Sequence, residues 1–254
     1  MNNHKTMPLF TKSSNPAFQY EQIFTLSSNN TILIMTAPKI IFYFDIGSPF
    51  SCIAFHALRT SPVFATCDID YVPVSLRDLF QLCQNTPPIA VKNKFQWINR
   101  ERIYWARRFQ VPMSEAIPEG FPASTSDVQL ALSLLSTKFP DKLIPIMEKI
   151  YRGFWEEGNS DVLTQPGFST LFESELGAEN AKRILDEFKG TEAKAVLGEG
   201  TRDAFTSGAF GLPWFDCIDS QGAKEGFWGI DHLGRLVDFL QLDASLDKSF
   251  RVLL

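Results

Sequence analysis

The chain is short of cysteine, histidine and basic charge, and each shortage removes a class of function. Its four cysteines, Cys52, Cys67, Cys83 and Cys217, are widely spaced and form no Cys-x-x-Cys pair. That pattern suits a reducing compartment, with the cytoplasm the expected location, better than a disulfide framework. Each thiol reads as a small buried apolar residue. The three histidines, His4, His56 and His232, share no metal-ligand spacing, so no metal is expected, and no serine has a neighbouring histidine base for a hydrolase triad. Lys and Arg total 24 against 29 Asp and Glu, a net charge of −5. This argues against nucleic-acid partners, which require clustered basic side chains. No apolar run approaches the roughly 18 residues of a membrane span, and no membrane partner is expected.

Phenylalanine, by contrast, is abundant at 23 copies, which points to aromatic-rich packing in a 254-residue chain able to bury one ordinary core with a large insertion. Residues 1–36 mix Asn, Ser and Thr with isolated apolar residues and have no period; they read as a disordered extension. They lack the arginines of a mitochondrial presequence, and Arg251-Val252-Leu253-Leu254 matches no peroxisomal address. Strands are expected over 40–45, 69–74, 214–219 and 224–227, the first two flanking a helix over 52–58 as a β-α-β unit. Apolar residues recur at helical spacing over 94–109, 127–138, 143–156 and 179–188, punctuated by Pro112, Pro118, Pro122, Pro140 and Pro166. Thr201 reads as the N-cap of a short helix ending at Gly208, and a last helix is expected over 231–241. The fold class is α/β: a frame of residues 37–75 and 200–245 interrupted by an all-helical insert over 76–199.

Two motifs carry chemistry. Phe44-Asp45-Ile46-Gly47-Ser48-Pro49-Phe50-Ser51 follows an apolar strand and opens a helix. A strand, a short turn and a helix N-terminus bearing Ser-Pro-Phe-Ser repeat the layout of a thioredoxin active site, where the same places read Cys-x-x-Cys. With serines at 48 and 51 the motif forms no disulfide. It retains a hydroxyl at a helix N-terminus, where unpaired N–H groups and the helix dipole favour an anion. The second motif, Gly208-Ala209-Phe210-Gly211-Leu212-Pro213-Trp214-Phe215, sets a proline at the start of a strand, which suits an edge or a cis bond. In a thioredoxin frame it faces the first motif and leaves the Leu212 backbone free to pair with an extended peptide.

With those residues in hand, the chain resembles the kappa-class glutathione transferases and the similar 2-hydroxychromene-2-carboxylate isomerases, within the group having a DsbA-like thioredoxin domain. The resemblance runs from about Lys39 to Leu242. It rests on the two motifs, the Asn85…Lys94 stretch, and Phe227-Trp228-Gly229-Ile230-Asp231. It implies a thioredoxin-like fold, glutathione as co-substrate or catalytic thiol, a small-molecule electrophile as partner and a homodimer. It also implies roles. Ser48 takes the place of the serine that hydrogen-bonds the glutathione sulfur. Asn85 and Lys94, with Lys92 as rival, match residues on a segment that closes over the ligand. Leu212, ahead of a cis Pro213, matches the backbone pair for the cysteinyl unit, and Asp231 the acceptor of the γ-glutamyl ammonium. Ile230 stands where the family has Ser or Asn, and His232 replaces a common Arg, so glutathione binding is expected to be altered there.

The expected chemistry is thiolate stabilisation. A thiol of pKa about 8.5 is only a few per cent ionised at neutral pH, and lowering that value by about two requires nearly 3 kcal/mol of preferential anion stabilisation. A Ser48 hydrogen bond and the helix N-terminus are of that order. Phe50, Trp97, Trp105 and Trp214 are the expected walls of the electrophile pocket. The activity is expected to be transfer of glutathione to an electrophile. The alternatives are glutathione-dependent isomerisation and a thioredoxin-like binding module without chemistry.

Overall fold

The computed structural model describes residues 36–250; the expected N-terminal extension lies, all but its last residue, outside them. The apolar run Lys39–Phe44 forms β1, and its alternation divides the molecule. Ile40, Phe42 and Phe44 face one side of the sheet, Ile41 and Tyr43 the other. Strand β1 pairs in parallel with β2 (Asp68–Pro73) and antiparallel with β3 (Trp214–Ile218), which pairs with β4 (Lys224–Trp228). The order is β2-β1-β3-β4, and helix α1 (Pro49–Thr60) makes the crossover between the parallel strands.

The first face of the sheet carries the larger core. Phe42 stacks between Phe44 and Phe215, with centroids 5.7 and 5.5 Å apart. Against them pack Ile53, Ala54, Ala57 and Leu58 of α1 and Leu233, Leu236 and Val237 of α9 (Leu233–Phe239). Each phenylalanine buried there stabilises the fold by about 1.5–3 kcal/mol relative to exposure. The second face is smaller: Tyr43, Val74 and Trp214 meet Leu79 of α2 (Leu76–Leu82) and Ala204 of α8 (Thr191–Thr206).

All the regular structure between β2 and β3 is helical. It contains α2, α3 (Lys94–Arg108), α4 (Ser126–Lys138), α5 (Pro140–Tyr151), α6 (Gln165–Leu176), α7 (Ala178–Glu187) and α8. Pro140 and Pro166 stand in the first turns of α5 and α6, where the missing N–H costs nothing. Helix α6 is not apparent from periodicity. It is held by buried Phe168 and Phe172, and at Gly167 an added Cβ would lie 1.9 Å from the Asp161 carbonyl oxygen.

Thr201 is not an N-cap. It lies inside α8, where its hydroxyl donates to the Leu197 carbonyl at 2.7 Å and accepts from the Ser75 N–H at 3.1 Å. Gly200, just before it, marks close packing, since a Cβ there would meet Val72 Cγ1 at 2.9 Å and the Pro73 carbonyl at 3.0 Å. Helix α8 therefore runs across residue 200, where the sequence pattern divides insert from frame. At the other end, a 3-10 turn over Ile230–His232 precedes α9, which is shorter than its expected span. Of the four free cysteines, Cys52 and Cys217 are buried as expected, whereas Cys67 and Cys83 are only half-buried.

Candidate active site

Three segments converge at one end of the sheet: the N-terminus of α1, the loop before β3 and the turn after β4. Ser48 is the N-cap of α1, and its Oγ accepts from the Ser51 N–H at 3.1 Å. The same hydroxyl lies 3.4 Å from the Leu212 carbonyl oxygen, 164 residues away in sequence. The Leu212–Pro213 peptide is cis. The Pro213 carbonyl in turn accepts from the Gly229 N–H at 3.0 Å, which brings Ile230 and Asp231 to the same place. The structure thus sets Ser48 against Leu212, and Pro213 against Gly229, the residue before Ile230 and Asp231.

Ser48 is 5% exposed, so its hydroxyl sits at the base of this junction and not on an open surface. At 3.4 Å its bond to Leu212 is well beyond the usual 2.7–2.8 Å of an O–H···O contact. The hydroxyl proton is therefore weakly held. No acidic residue occupies the first turn of α1, so the positive end of the helix is uncompensated from within the helix.

The turn leading to Ser48 is fixed by side chains that the sequence did not single out. Asp45 is buried, and its carboxylate accepts from the Gly47 N–H at 2.8 Å and the Leu76 N–H at 3.0 Å. Burial pushes its carboxyl above the usual range, against the lowering effect of these N–H groups and of Thr125. Gln129 of α4 is equally buried. Its amide donates to the carbonyls of Phe44 (3.1 Å) and Val74 (2.8 Å), and its oxygen faces the Ile46 N–H at 3.5 Å. The Trp155 indole N–H donates to the Ile46 carbonyl at 2.8 Å. Three elements of the helical region, α2, α4 and the segment after α5, therefore hold the backbone of residues 44–47. A lone glutamine in the apolar run Val128-Gln129-Leu130-Ala131-Leu132 was the available signal.

Asn85 reaches the site from the far side. Its amide donates to the Phe210 carbonyl at 2.8 Å, while Cys83 Sγ donates to the Ala209 carbonyl at 3.3 Å, so the end of α2 straps the loop before Pro213. Phe210 and Trp228, 44% and 41% exposed, meet at a tilt with centroids 4.8 Å apart beside that loop. Gly211 permits this, since a Cβ there would meet the Trp228 indole nitrogen at 2.9 Å. Lys94, at the start of α3, is exposed and makes no ion pair among the described residues. Asp231 is mostly exposed, 3.5 Å from His232 Nδ1.

Of the four expected pocket walls, Trp214 lies apart from Phe50 and Trp105, which pack against the larger core. Phe50 is half-buried against the core beside Ser48. Trp105 stacks on Phe109 within α3, and Trp97 stands 50% exposed on that helix. Trp214 lies on the second face of the sheet, its indole N–H on Ser207 Oγ at 2.9 Å and its ring over Gly226. A different aromatic row runs from α3 to the Ser48 turn: Phe95 stacks on Phe121 at 6.3 Å, and Phe121 meets Trp155 edge-on at 5.6 Å.

Thiol chemistry from the chain's own cysteines is disfavoured. Cys52, one residue past the motif, is buried and its pKa is pushed far above normal by desolvation. His56, further along α1, has its pKa lowered by burial, partly offset by Glu148. Among the described residues no group of three His, Cys, Asp or Glu side chains could hold a metal ion, and no helix is long and apolar enough to cross a membrane.

A family model described as a DSBA-like thioredoxin domain matches residues 39–241. Glutathione S-transferase kappa 1 of Rattus norvegicus is 26% identical over 183 residues, covering 70% of this chain and 80% of that protein. The 2-hydroxychromene-2-carboxylate isomerase of Sphingobium xenophagum is 26% identical over 205 residues, covering 79% and 97%. Among solved structures, a 2-hydroxychromene-2-carboxylate isomerase superposes with a TM-score of 0.67 at 20% identity over 80% of this chain and 94% of that one, a likeness of fold.

Proposed function

The chain belongs to the DSBA-like thioredoxin domain family, and on that footing we propose that it is a glutathione-dependent enzyme of kappa type. In this reading Ser48 stabilises the glutathione thiolate for attack on a small apolar electrophile. The observation that carries the reading is the junction itself: a weakly engaged hydroxyl at the N-terminus of α1, 3.4 Å from the carbonyl that precedes a cis proline.

The Ser48 hydroxyl exchanges its long bond to Leu212 for a stronger one to sulfur, whose negative charge makes it the better acceptor. The proton stays on oxygen, so no base is needed; the thiol's own proton leaves to solvent because the anion is held. The Leu212 backbone takes the cysteinyl unit as a short added strand. Asp231 receives the γ-glutamyl ammonium, and the backbone N–H groups at Ile230 serve the adjacent carboxylate that a Ser or Asn would otherwise bind. Lys94 takes the glycyl carboxylate. Asn85 acts through the loop, since its amide is already committed to Phe210. The electrophile lies against Phe50 and the Phe95–Phe121 stack rather than against Trp214, whose indole is covered by the sheet.

Isomerisation is the second reading, supported by the isomerase relative at 26% identity over 79% of this chain. There the sulfur adds reversibly to an unsaturated carbon and is expelled after bond rotation, so the first step is shared. Retention on immobilised glutathione followed by assay separates the outcomes. Retention with conjugate formation supports transfer, and retention with only double-bond isomerisation supports the second reading. Failure to be retained contradicts both. A homodimer, implied by the resemblance, is tested by light scattering.

A further inference from the structure

Trp155 does not sit on a regular helix. Helix α5 ends at Tyr151 and the chain passes into a π-helical turn over Arg152–Glu156, which the Glu157 N–H closes onto the Arg152 carbonyl at 3.0 Å. Such a turn widens the helix by one residue and rotates the side chains out of the 3.6-residue register, and it recurs at functional sites. Packing fixes it here: Gly153 is pressed onto Val162, where an added Cβ would come within 2.6 Å of Cγ1. The result is the aim of Trp155. Its indole N–H reaches the Ile46 carbonyl at 2.8 Å, and its own carbonyl accepts from the Ser114 N–H at 2.8 Å.

Behind Trp155 stands Arg102 of α3, only 1% exposed, with its guanidinium 5.8 Å from the indole centroid. Its donors go to Asn99 Oδ1 (2.7 Å) and to the carbonyls of Ser114 (2.6 Å), Glu115 (2.8 Å) and Ala116 (3.1 Å). Every partner is a neutral oxygen. A buried cation without a carboxylate is costly to keep, and this one clamps loop 114–116, and through Ser114 the Trp155 backbone, against α3.

We propose that Trp155, held by Arg102, is a positioning residue for Ser48. Its indole sets the height of the Ile46–Gly47 peptide, and thereby the direction in which the residue at the N-terminus of α1 presents its side chain. The purpose of this device rests on the thiolate reading above, but its measurement does not. A thiol introduced by Ser48→Cys reports the field at that position with no glutathione present. Its titration is read from ultraviolet thiolate absorbance, as the difference between the Ser48→Cys protein and its parent, so that the native cysteines cancel. At a helix N-terminus its pKa is expected to fall below the usual 8.5 or so.

Trp155→Phe keeps the ring and removes the N–H. In the Ser48→Cys background it is expected to raise the thiol pKa, lowering the thiolate fraction at pH 6.5 by about fivefold, the equivalent of one net hydrogen bond. Phe154→Leu trims an equally buried neighbour that makes no bond to the turn; it should lower the melting temperature and leave the titration in place. Arg102→Lys keeps the charge and loses the fork onto residues 114–116. It is expected to shift the titration in the same direction, and it decides the matter should Trp155→Phe fail to fold. A folded protein of either kind whose thiol titrates as in its parent overturns the proposal. Glutathione binding by the unaltered protein, measured separately, decides the ligand and leaves this result untouched.

Discussion

Replacing Ser48 with alanine removes one hydroxyl and two interactions: the cap on the Ser51 N–H and the long bond to Leu212. The loss of the cap costs about 1 kcal/mol of stability and can be followed by thermal unfolding. The effect on chemistry is separate. A hydrogen bond to a charged acceptor contributes about 2 kcal/mol, which corresponds to a rise of about 1.5 in the pKa of the bound thiol and about a thirtyfold fall in thiolate at low pH. The sign follows directly. The variant's thiol ionises later, so its deficit is full below the native thiol's pKa and vanishes above its own. The assay is the initial rate with saturating glutathione and a chlorodinitrobenzene-type electrophile. With a native thiol pKa of about 6.5, Ser48→Ala is expected to lose about fifteenfold at pH 6.5, approaching about thirtyfold at lower pH, and little at pH 9. Equal losses at the two pH values in a folded variant would refute thiolate stabilisation by this hydroxyl.

Gln129→Leu strands the Val74 carbonyl and the Ile46 N–H, while the Phe44 carbonyl keeps its bond from the Val74 N–H at 2.9 Å. It is expected to cost about 2–4 kcal/mol in urea unfolding, with each buried orphan contributing about 1–3; a loss under about 0.5 kcal/mol contradicts the clamp. Gly167→Ala drives a methyl into the Asp161 carbonyl and should destabilise α6 strongly, by more than about 3 kcal/mol, because backbone cannot move aside. Asp45 predicts a pH dependence. Its folded pKa is raised, so the stability it contributes is present below the ordinary carboxyl value near 4 and is lost as pH rises through the raised native value. Unfolding free energies measured across that window should fall with pH in the native protein and flatten in Asp45→Asn.

The frame was legible because its signals are local. The run Ile40 to Phe44 is too apolar to be anything but a buried strand, Ser48-Pro49 is an N-cap followed by the one residue that needs no N–H, and Pro213 announces a strand that begins at an irregular peptide. The convergence of Ser48 with Leu212 was likewise accessible, since both motifs belong to one known layout. The placing of Trp214 was not. Trp97, Trp105 and Trp214 were chosen by residue type, and only the strand register reveals that Trp214 faces the opposite side of the sheet from Phe215. Thr201 was misread because a threonine after Gly200 looks like a cap, whereas Gly200 records the approach of α8 to β2. The holders of the Ser48 turn, Gln129, Trp155 and Arg102, stand from 54 to 107 residues beyond Ser48, and a π turn has no signature in a 3.6-residue period.

The central claim is that a sulfur anion rests on the Ser48 hydroxyl. It is tested most directly by titrating bound glutathione in the unaltered protein through its ultraviolet thiolate absorbance. The account predicts saturable binding and a bound thiol that ionises well below 8.5 or so, the value of a free thiol. A complex whose thiol ionises like that of free glutathione, or no complex at all, would contradict it.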